Sequence, residues 1–499
     1  MTKKVYFVCA PIFLYWPVEI SKRLNDLCGG IVTGGFIGGP KKYHDILKQE
    51  WGDMADEVVY THDLELKWIA TQHDAKELGF FIELLGHEVI NQLIIADRHI
   101  GNGLLVGGGI ADSPFLNKIR TDKDASLNYL VNMLSYLHGF LSKTKPDVIY
   151  SYAVAGAFTL AIAELCVKLD IKFLKLTHSR IENKVVIDSS PRDEMNFVKI
   201  QFQKPISEFT NDSLKYGSTY LNKFREKQQQ PDYQILQNNI YLEKTTFKHT
   251  FKLAAKYLKG TFNRSNEFFH TSYLASINYE YKITKGIRKF WKQKPFFDTE
   301  FLLKRSFLFY TLHVDPEAST MVISPYQTNQ FAVIEAISKS KAITDILIVK
   351  EHLTMIGRRP SGFYEAINAL PGVYMADPTE PSFKFINEAK AIITLTGTSG
   401  LEAILLKKPA IFLGNFIYKF IKKGFICTND LSQLASILPN LDKIEVIDDA
   451  DLIKLIASVN EVAFPFDGGL VWSGISKQKV IDHPEIVNLF ANAIVKNLS

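Results

Sequence analysis

The residues best suited to chemistry fall in three short segments of the second half of the chain. One reads Thr394-Leu-Thr-Gly-Thr-Ser-Gly-Leu-Glu-Ala403. An apolar run ends at Thr394, Gly397 and Gly400 permit a sharp turn, and helix-forming residues follow. That order puts Thr398 and Ser399 near a helix N-terminus. Free N–H groups, the helix dipole and two hydroxyls meet there, which suits a phosphate or pyrophosphate. Glu402, expected on the first helical turn, can accept hydrogen bonds from ribose hydroxyls. A plain N-cap by Thr398 or Ser399 would use the same residues.

In the second segment, Leu347-Ile-Val-Lys350 runs into Glu351-His352, and Gly357-Arg358-Arg359 follows. A strand-end histidine with Lys350 and the nearby arginines Arg358 and Arg359 can neutralise a phosphate; the plain alternative is a solvated loop with two surface arginines. The third reads Leu312-His-Val-Asp-Pro-Glu-Ala-Ser-Thr320. His313, Asp315 and Glu317 group two carboxylates with an imidazole, a set suited to acid–base work or to sugar hydroxyls. Helix capping competes here, with Pro316 fitting the first position of a helix. The first half offers Asp97 within Ala96–His99, and His178 within Leu176–Arg180. His178 follows an apolar run and so points toward any cleft beyond that strand's end.

These segments need strands and helices to hold them. The first 190 residues alternate short apolar runs with longer amphipathic ones. Strands are expected at Lys4–Ala10, Gly30–Gly35, Glu57–Tyr60, Val148–Tyr152 and Lys172–Thr177. Helices are expected at Pro17–Leu27, Asp122–Lys143 and Ala153–Leu169. The rhythm returns near residue 304, with strands at Ser306–Leu312, Asp345–Lys350, Val373–Met375, Ala391–Thr394 and Ala410–Leu413. Helices are expected at Gln330–Ser338, Phe363–Ala369 and Gly400–Leu406, and a last helical stretch at Asp451–Ser499. Repeated βαβ units imply parallel sheets covered on both faces. The fold class is therefore α/β, with two facing Rossmann-like domains and a ligand cleft beyond the strand ends. The expected division is 1–195, a basic helical insertion at 196–300, 301–455, and a helical region at 456–499 that crosses back to the first domain.

That insertion stands out by charge. Between Tyr241 and Lys294 lie 12 Lys/Arg and 3 Glu, a net of +9, whereas the whole chain carries only +5. Lys244, Lys248, Lys252, Lys256 and Lys259 recur at three- and four-residue spacing, along one helical stripe. Phe247, Phe251 and Tyr257 lie on the same turns. An amphipathic helix lying on an anionic membrane fits this pattern. A packed helix with solvated lysines fits it too. Nucleic-acid binding by stacking and phosphate contacts is a third reading, without an accompanying RNA or DNA motif.

Several classes are disfavoured. No GxGxxG lies between strand and helix, and no P-loop is present. The glycines at 34–39 and 107–109 read as tight turns. Cys9, Cys28, Cys166 and Cys427 have no metal-ligand spacing, which points to buried reduced thiols. No uninterrupted apolar run reaches about 18 residues, so no spanning helix is expected. Lys3-Lys4 and the run Val5–Val18 imitate a signal peptide, but Glu19, Lys22 and Arg23 follow in place of a cleavage site. A buried first strand and a cytoplasmic chain are expected, peripheral on the inner membrane face.

The texts FYTLHVDPEAST (309–320), LIVKEHLTMIGRR (347–359) and AIITLTGTSGLEAILLKKPAIFLG (391–414) together resemble the capsule polysaccharide biosynthesis family. That family includes β-Kdo transferases and is similar to GT-B glycosyltransferases. The resemblance covers roughly 300–415 well and the first half loosely. It implies His352 as the phosphate-contacting histidine and Thr398/Ser399 as the hydroxyl pair at the donor phosphate. Family members carry Gln-Pro-Glu where this chain has Asp315-Pro316-Glu317, and His-Pro where it has His352-Leu353. It implies transfer of a sugar, by default a CMP-activated ulosonic acid such as Kdo, to a lipid-linked or growing polysaccharide acceptor. No DxD motif stands at a strand end, since Asp448-Asp449 falls in a polar turn. No cofactor is expected beyond the nucleotide-sugar donor, and the reaction is expected to be metal-independent. A nucleotide-sugar epimerase or a CDP-alcohol phosphotransferase on the same fold is the alternative.

Overall fold

The computed structural model describes residues 2–97, 123–228, 241, 249, 251–252, 254–255 and 273–498 apart from 472. Among the described residues, thirteen strands form two sheets. In chain order they are β1 (Lys4–Cys9), β2 (Val32–Ile37), β3 (Ala55–Tyr60), β4 (Val148–Ser151), β5 (Lys172–His178) and β6 (Lys184–Asp188). Then come β7 (Phe307–Thr311), β8 (Ile346–Lys350), β9 (Val373–Met375), β10 (Ala391–Thr394), β11 (Ala410–Phe412), β12 (Phe425–Cys427) and β13 (Phe464–Pro465). The first sheet has the order β13-β6-β5-β4-β1-β2-β3, the second β12-β11-β10-β7-β8-β9. The second sheet is wholly parallel; in the first, β6 and β13 run antiparallel to their neighbours. Val5, Tyr6 and Phe7 are all fully buried, as are Ala391, Ile392 and Ile393. A strand buried on both faces reads as a continuous apolar run, as these do.

Most expected strands stand within a residue or two of their places, and the exceptions have local causes. Gly34 and Gly35 lie inside β2 and do not form a turn. A Cβ on Gly34 would come within 2.7 Å of the Tyr6 ring, and one on Gly35 within 2.1 Å of the Phe7 carbonyl oxygen. These glycines let β1 and β2 sit closely. The glycines at 107–109 lie outside the described residues. The tail is not one helical stretch: helix Asp449–Val462 ends, β13 adds to the edge of the first sheet, and helix Pro484–Val495 packs beside helix Tyr15–Cys28. Cys9 and Cys166 are buried free thiols, whereas Cys28 and Cys427 are exposed.

The segment 196–300 is not a single insertion. Helices Asn196–Gln203 and Asn211–Lys227 pack on helix Asp449–Val462, and Val198 and Leu221 share a core with Leu455, Val459, Phe309 and Ile392. Of the lysine stripe, Lys252 is described and exposed, and Phe251 beside it is exposed too; Lys244, Lys248, Lys256 and Lys259 lie outside the described residues. Helix Tyr273–Gln293 lays Ile283, Ile287 and Phe290 against Leu353 and Ile356. Its other face exposes Lys282, Lys285, Arg288, Lys289 and Lys292. Among the described residues no single helix is long and apolar enough to cross a membrane.

The carboxyl ends of the two sheets meet. Just past β5, the Ser179 carbonyl accepts a 2.5 Å hydrogen bond from the Tyr418 hydroxyl. The Arg180 guanidinium reaches the Thr396 carbonyl, beyond β10. The Arg192 carbonyl accepts from the Asn415 side-chain amide at 2.7 Å. The arrangement is two mainly parallel sheets whose carboxyl ends are joined by these contacts.

A contact between two glycines fixes the turn that follows His352. A Cβ on Gly286 would stand 2.8 Å from Gly357 Cα, and Gly357 itself has φ +84°. Neither backbone can yield without moving the helix. Gly286→Val is therefore expected to destabilise the protein by about 1–3 kcal/mol, the usual cost of overpacking. Chemical denaturation checks this, and a midpoint equal to wild type would contradict it.

Candidate active site between the sheet ends

The turn after β10 is built from side-chain bonds to backbone. Thr394 Oγ1 accepts from Gly397 N–H at 3.0 Å. The Thr396 N–H points at His313 Nε2, 3.3 Å away, while its carbonyl takes the Arg180 guanidinium from the opposite domain. The peptide is thus held from both sides. An Nε2 that accepts an N–H leaves the proton on Nδ1, so the ring is neutral. Burial pushes its pKa down to about 3. His313 is 8% exposed and faces this turn.

Helix Thr398–Leu405 begins directly after the turn, with Gly397 at its N-cap and no side chain capping it. The expected cap by Thr398 or Ser399 is absent because both residues already lie inside the helix. Ser399 Oγ is instead bonded to Thr311 Oγ1 at 2.9 Å, which ties the helix to β7. Among the described residues, the N–H groups of Thr398 and Ser399 and the Thr398 hydroxyl have no partner. Gly397 and Gly400 are required sterically. A Cβ on Gly397 would meet Thr394 Oγ1 at 2.5 Å, and one on Gly400 the Phe412 ring at 2.3 Å. Glu402 lies beyond the first helical turn, where it was expected. Burial pushes its pKa up to about 7, and Lys350 pulls it back. Burial likewise lowers Lys350 to about 8, opposed by Asp377, Glu351 and Glu402. Lys350 and Glu402 thus feel one another across the strand ends.

Arg359 organises the other side. Its Nε and Nη2 bond Glu351 at 2.8 and 3.0 Å, its Nη1 bonds Asp315 at 2.8 Å, and Nη2 also reaches the His313 carbonyl at 2.7 Å. All three charged side chains are 0–1% exposed. Gln330 binds the His313 N–H and carbonyl and the Asp315 carboxylate. Tyr364 adds a 3.1 Å bond to Glu351. Arg359 is therefore a buried strut whose charge is spent on Asp315 and Glu351, contrary to the sequence expectation of a phosphate ligand. Its position also corrects the expected helix start at Pro316. Asp315 is drawn inward to Arg359, the Asp315–Pro316 peptide is cis, and helical structure begins only at Ser319.

The remaining expected residues are distributed as follows. His352 is half-buried, with Nδ1 2.8 Å from the Thr354 hydroxyl, which leaves Nε2 unbonded among the described residues. Its pKa is lowered by burial, with Glu351 opposing. His352 follows the end of β8, and His313 the end of β7, the strand that pairs with it. Arg358 is half-buried, and its Nε has no partner among the described residues. Glu317 is exposed and accepts the Ser319 hydroxyl at 3.0 Å. His178 ends β5 at the cleft; burial lowers its pKa while Asp193 opposes. Asp97 is buried at the end of helix His87–Ala96. Asp448 caps helix Asp449–Val462, and Asp449 pairs with Arg225. Gln330 and Tyr364 were missed, because nothing local marks them. Arg180 was visible only as a neighbour of His178.

The fold is α/β with two mainly parallel sheets, and at the meeting of their ends a helix begins with backbone N–H groups that have no partner among the described residues. Residues 218–433 match the family model described as capsule polysaccharide biosynthesis protein. The three segments that carried the resemblance lie inside that match, which bears the resemblance out. Among solved structures, the chain is similar to a β-Kdo 2,7-transferase, KpsC of Thermosulfurimonas dismutans, at 12% identity and TM-score 0.35, covering 65% of this chain and 80% of that one. The β-Kdo 2,4-transferase of the same KpsC matches at 10% identity and TM-score 0.34, covering 63% and 79%. A UDP-GlcNAc 2-epimerase of Neisseria meningitidis matches at 11% identity and TM-score 0.24, covering 96% and 100%. No curated protein matches the sequence.

Removing one member of a buried charge network strands its partners. Arg359→Met is expected to lower stability by about 3–5 kcal/mol, because Asp315 and Glu351 lose their counter-ion. Arg359→Lys should recover only part of this, lacking the planar fork. Equal denaturation midpoints for wild type and Arg359→Met would contradict the assignment.

Proposed function

We propose that the protein is a glycosyltransferase that moves a sugar from a nucleotide-activated donor, with CMP favoured, to a surface-polysaccharide acceptor. The observation that carries this reading is the uncapped N-terminus of helix Thr398–Leu405, which Ser399 ties to Thr311 at the end of β7, opposite Lys350, which ends β8 two positions before His352. The donor phosphate sits on the free N–H groups of Thr398 and Ser399 and the Thr398 hydroxyl. His352 Nε2, Lys350 and Arg358 face its charge. A single phosphate is served by these groups without a metal. Glu402 accepts the ribose hydroxyls.

In the reaction the anomeric carbon–phosphate oxygen bond breaks and the nucleoside monophosphate leaves with the electron pair. The acceptor hydroxyl oxygen bonds to the anomeric carbon, and its proton passes to the exposed Glu317 carboxylate. Preorganised donors around the leaving phosphate lower the barrier. Asp315 and His313 act by position, through Arg359 and Thr396. His178 and Asp97 belong to the acceptor side.

His352→Ala is expected to weaken CMP binding roughly tenfold, as for loss of a charge-assisted hydrogen bond. Glu317→Gln is expected to keep CMP affinity and lower turnover roughly a hundredfold. Calorimetry with CMP and single-turnover transfer assays read the two separately. Unchanged CMP affinity in His352→Ala would remove the phosphate role, and activity within about threefold in Glu317→Gln would remove the base.

The basic segment brings the enzyme to a lipid-linked acceptor on the inner membrane face. Each Lys or Arg near an anionic surface contributes about 1 kcal/mol. The protein should sediment with vesicles rich in anionic lipid and be released by high salt. Binding that persists when Lys244, Lys248, Lys252, Lys256 and Lys259 are all changed to Gln would contradict this role.

A further inference from the structure

A cavity of about 530 Å³ opens between the domains, beside the Thr396 turn. Helices His87–Ala96 and Ala157–Lys168 wall it on one side, and the segment Val322–Gln327 and the residues after β11 and β12 on the other. Its lining includes Gly414, whose added Cβ would stand 3.0 Å from Thr396 Cγ2. The cavity and the phosphate turn therefore share a boundary.

A continuous polar chain lines this cavity and crosses from one domain to the other. The Tyr326 hydroxyl donates to Glu88 Oε1 at 2.9 Å, and Gln92 Nε2 donates to the same oxygen at 3.1 Å. Arg192 Nη2 donates to Gln92 Oε1 at 2.6 Å, and Arg192 Nη1 to Glu164 Oε1 at 2.5 Å. This leaves the Oε2 atoms of Glu88 and Glu164 without a partner among the described residues. Tyr326 is 53% exposed, so its ring presents a face to the opening.

We propose that this cavity is the subsite for the acceptor's terminal sugar, and that this sugar is neutral and hydroxyl-rich. The assignment rests on the glycosyl-transfer reading and adds the acceptor's place and chemical class. The charged lining is two carboxylates and one guanidinium. Arg192 donates one hydrogen from each Nη, to Glu164 and Gln92, so its charge is already paired with a carboxylate of the lining. An acidic sugar would instead face Glu88 and Glu164, where like charges repel. Carboxylate oxygens accept hydroxyl hydrogens strongly, and an exposed aromatic face supports the apolar side of a sugar ring. The volume lies within the range of small-ligand pockets, with room for about one or two rings. Its border with Thr396 sets an acceptor hydroxyl next to the donor phosphate turn.

The test is saturation-transfer NMR on the full chain with maltose, lactose and N,N′-diacetylchitobiose, against glucuronic acid and N-acetylneuraminic acid. At least one neutral disaccharide is expected to bind, and the acids roughly tenfold more weakly or not at all. Glu88→Gln and Tyr326→Ala should each reduce the neutral signal roughly tenfold. Tyr326→Phe, which keeps the ring and the fold, should reduce it less. His352→Ala should leave the sugar signal intact while CMP affinity falls. Absence of any neutral binding, equal binding of the acids, or a signal indifferent to the Glu88 and Tyr326 changes would overturn the proposal. Failure of the donor reading shows separately, as no CMP binding by calorimetry while the sugar signal persists.

Discussion

The site depends on one buried guanidinium. Arg359 holds the loop after β7 against the loop after β8 by bonding Asp315, Glu351 and the His313 carbonyl together. That contact fixes where His313 sits, and His313 in turn holds the Thr396 N–H. The direction of the Thr396 peptide decides how helix Thr398–Leu405 begins. A chain of four residues thus carries position from a fully buried ion network to the open end of a helix. Burying three charges is costly unless every one is paired and hydrogen-bonded. Gln330 and Tyr364 complete that requirement here.

The second domain does not orient the turn alone. Arg180 reaches across from the first domain to the Thr396 carbonyl, and Tyr418 returns a bond to Ser179. The turn after β10 therefore senses the relative position of the two sheets. A cluster of non-glycine residues with positive φ lies on the same stretch of the first domain: Arg180, Glu182, Asp193 and Met195. Such backbone is retained where surrounding contacts over-determine it, and the contacts in this case come from both domains.

Much of this was legible in the residues themselves. The strands β8 to β11 stand out because they are buried on both faces and so read as unbroken apolar runs. The glycines of the 394–403 segment announced a turn into a helix, and the structure gives each a steric cause. Other features depend on distant partners. The two-residue strand β13 exists only because it finds β6 some 280 positions earlier. Arg359 looked like a phosphate ligand beside Arg358, and only the folded chain shows that its neighbours in space are two buried carboxylates. Pro316 suggested a helix start, but the inward pull on Asp315 delays it to Ser319. The likeness of 309–320, 347–359 and 391–414 to one family was local enough to survive all of this, because those segments are the strand ends themselves.

In the proposed reaction a nucleoside monophosphate places its phosphate on the first turn of helix Thr398–Leu405, within reach of His352. The most direct measurement is a crystal structure of the full chain with CMP bound. The account predicts phosphate oxygens at hydrogen-bonding distance, about 2.7–3.2 Å, from the Thr398 or Ser399 N–H and from His352 Nε2. Phosphate density elsewhere, with that helix terminus left to solvent, would contradict it.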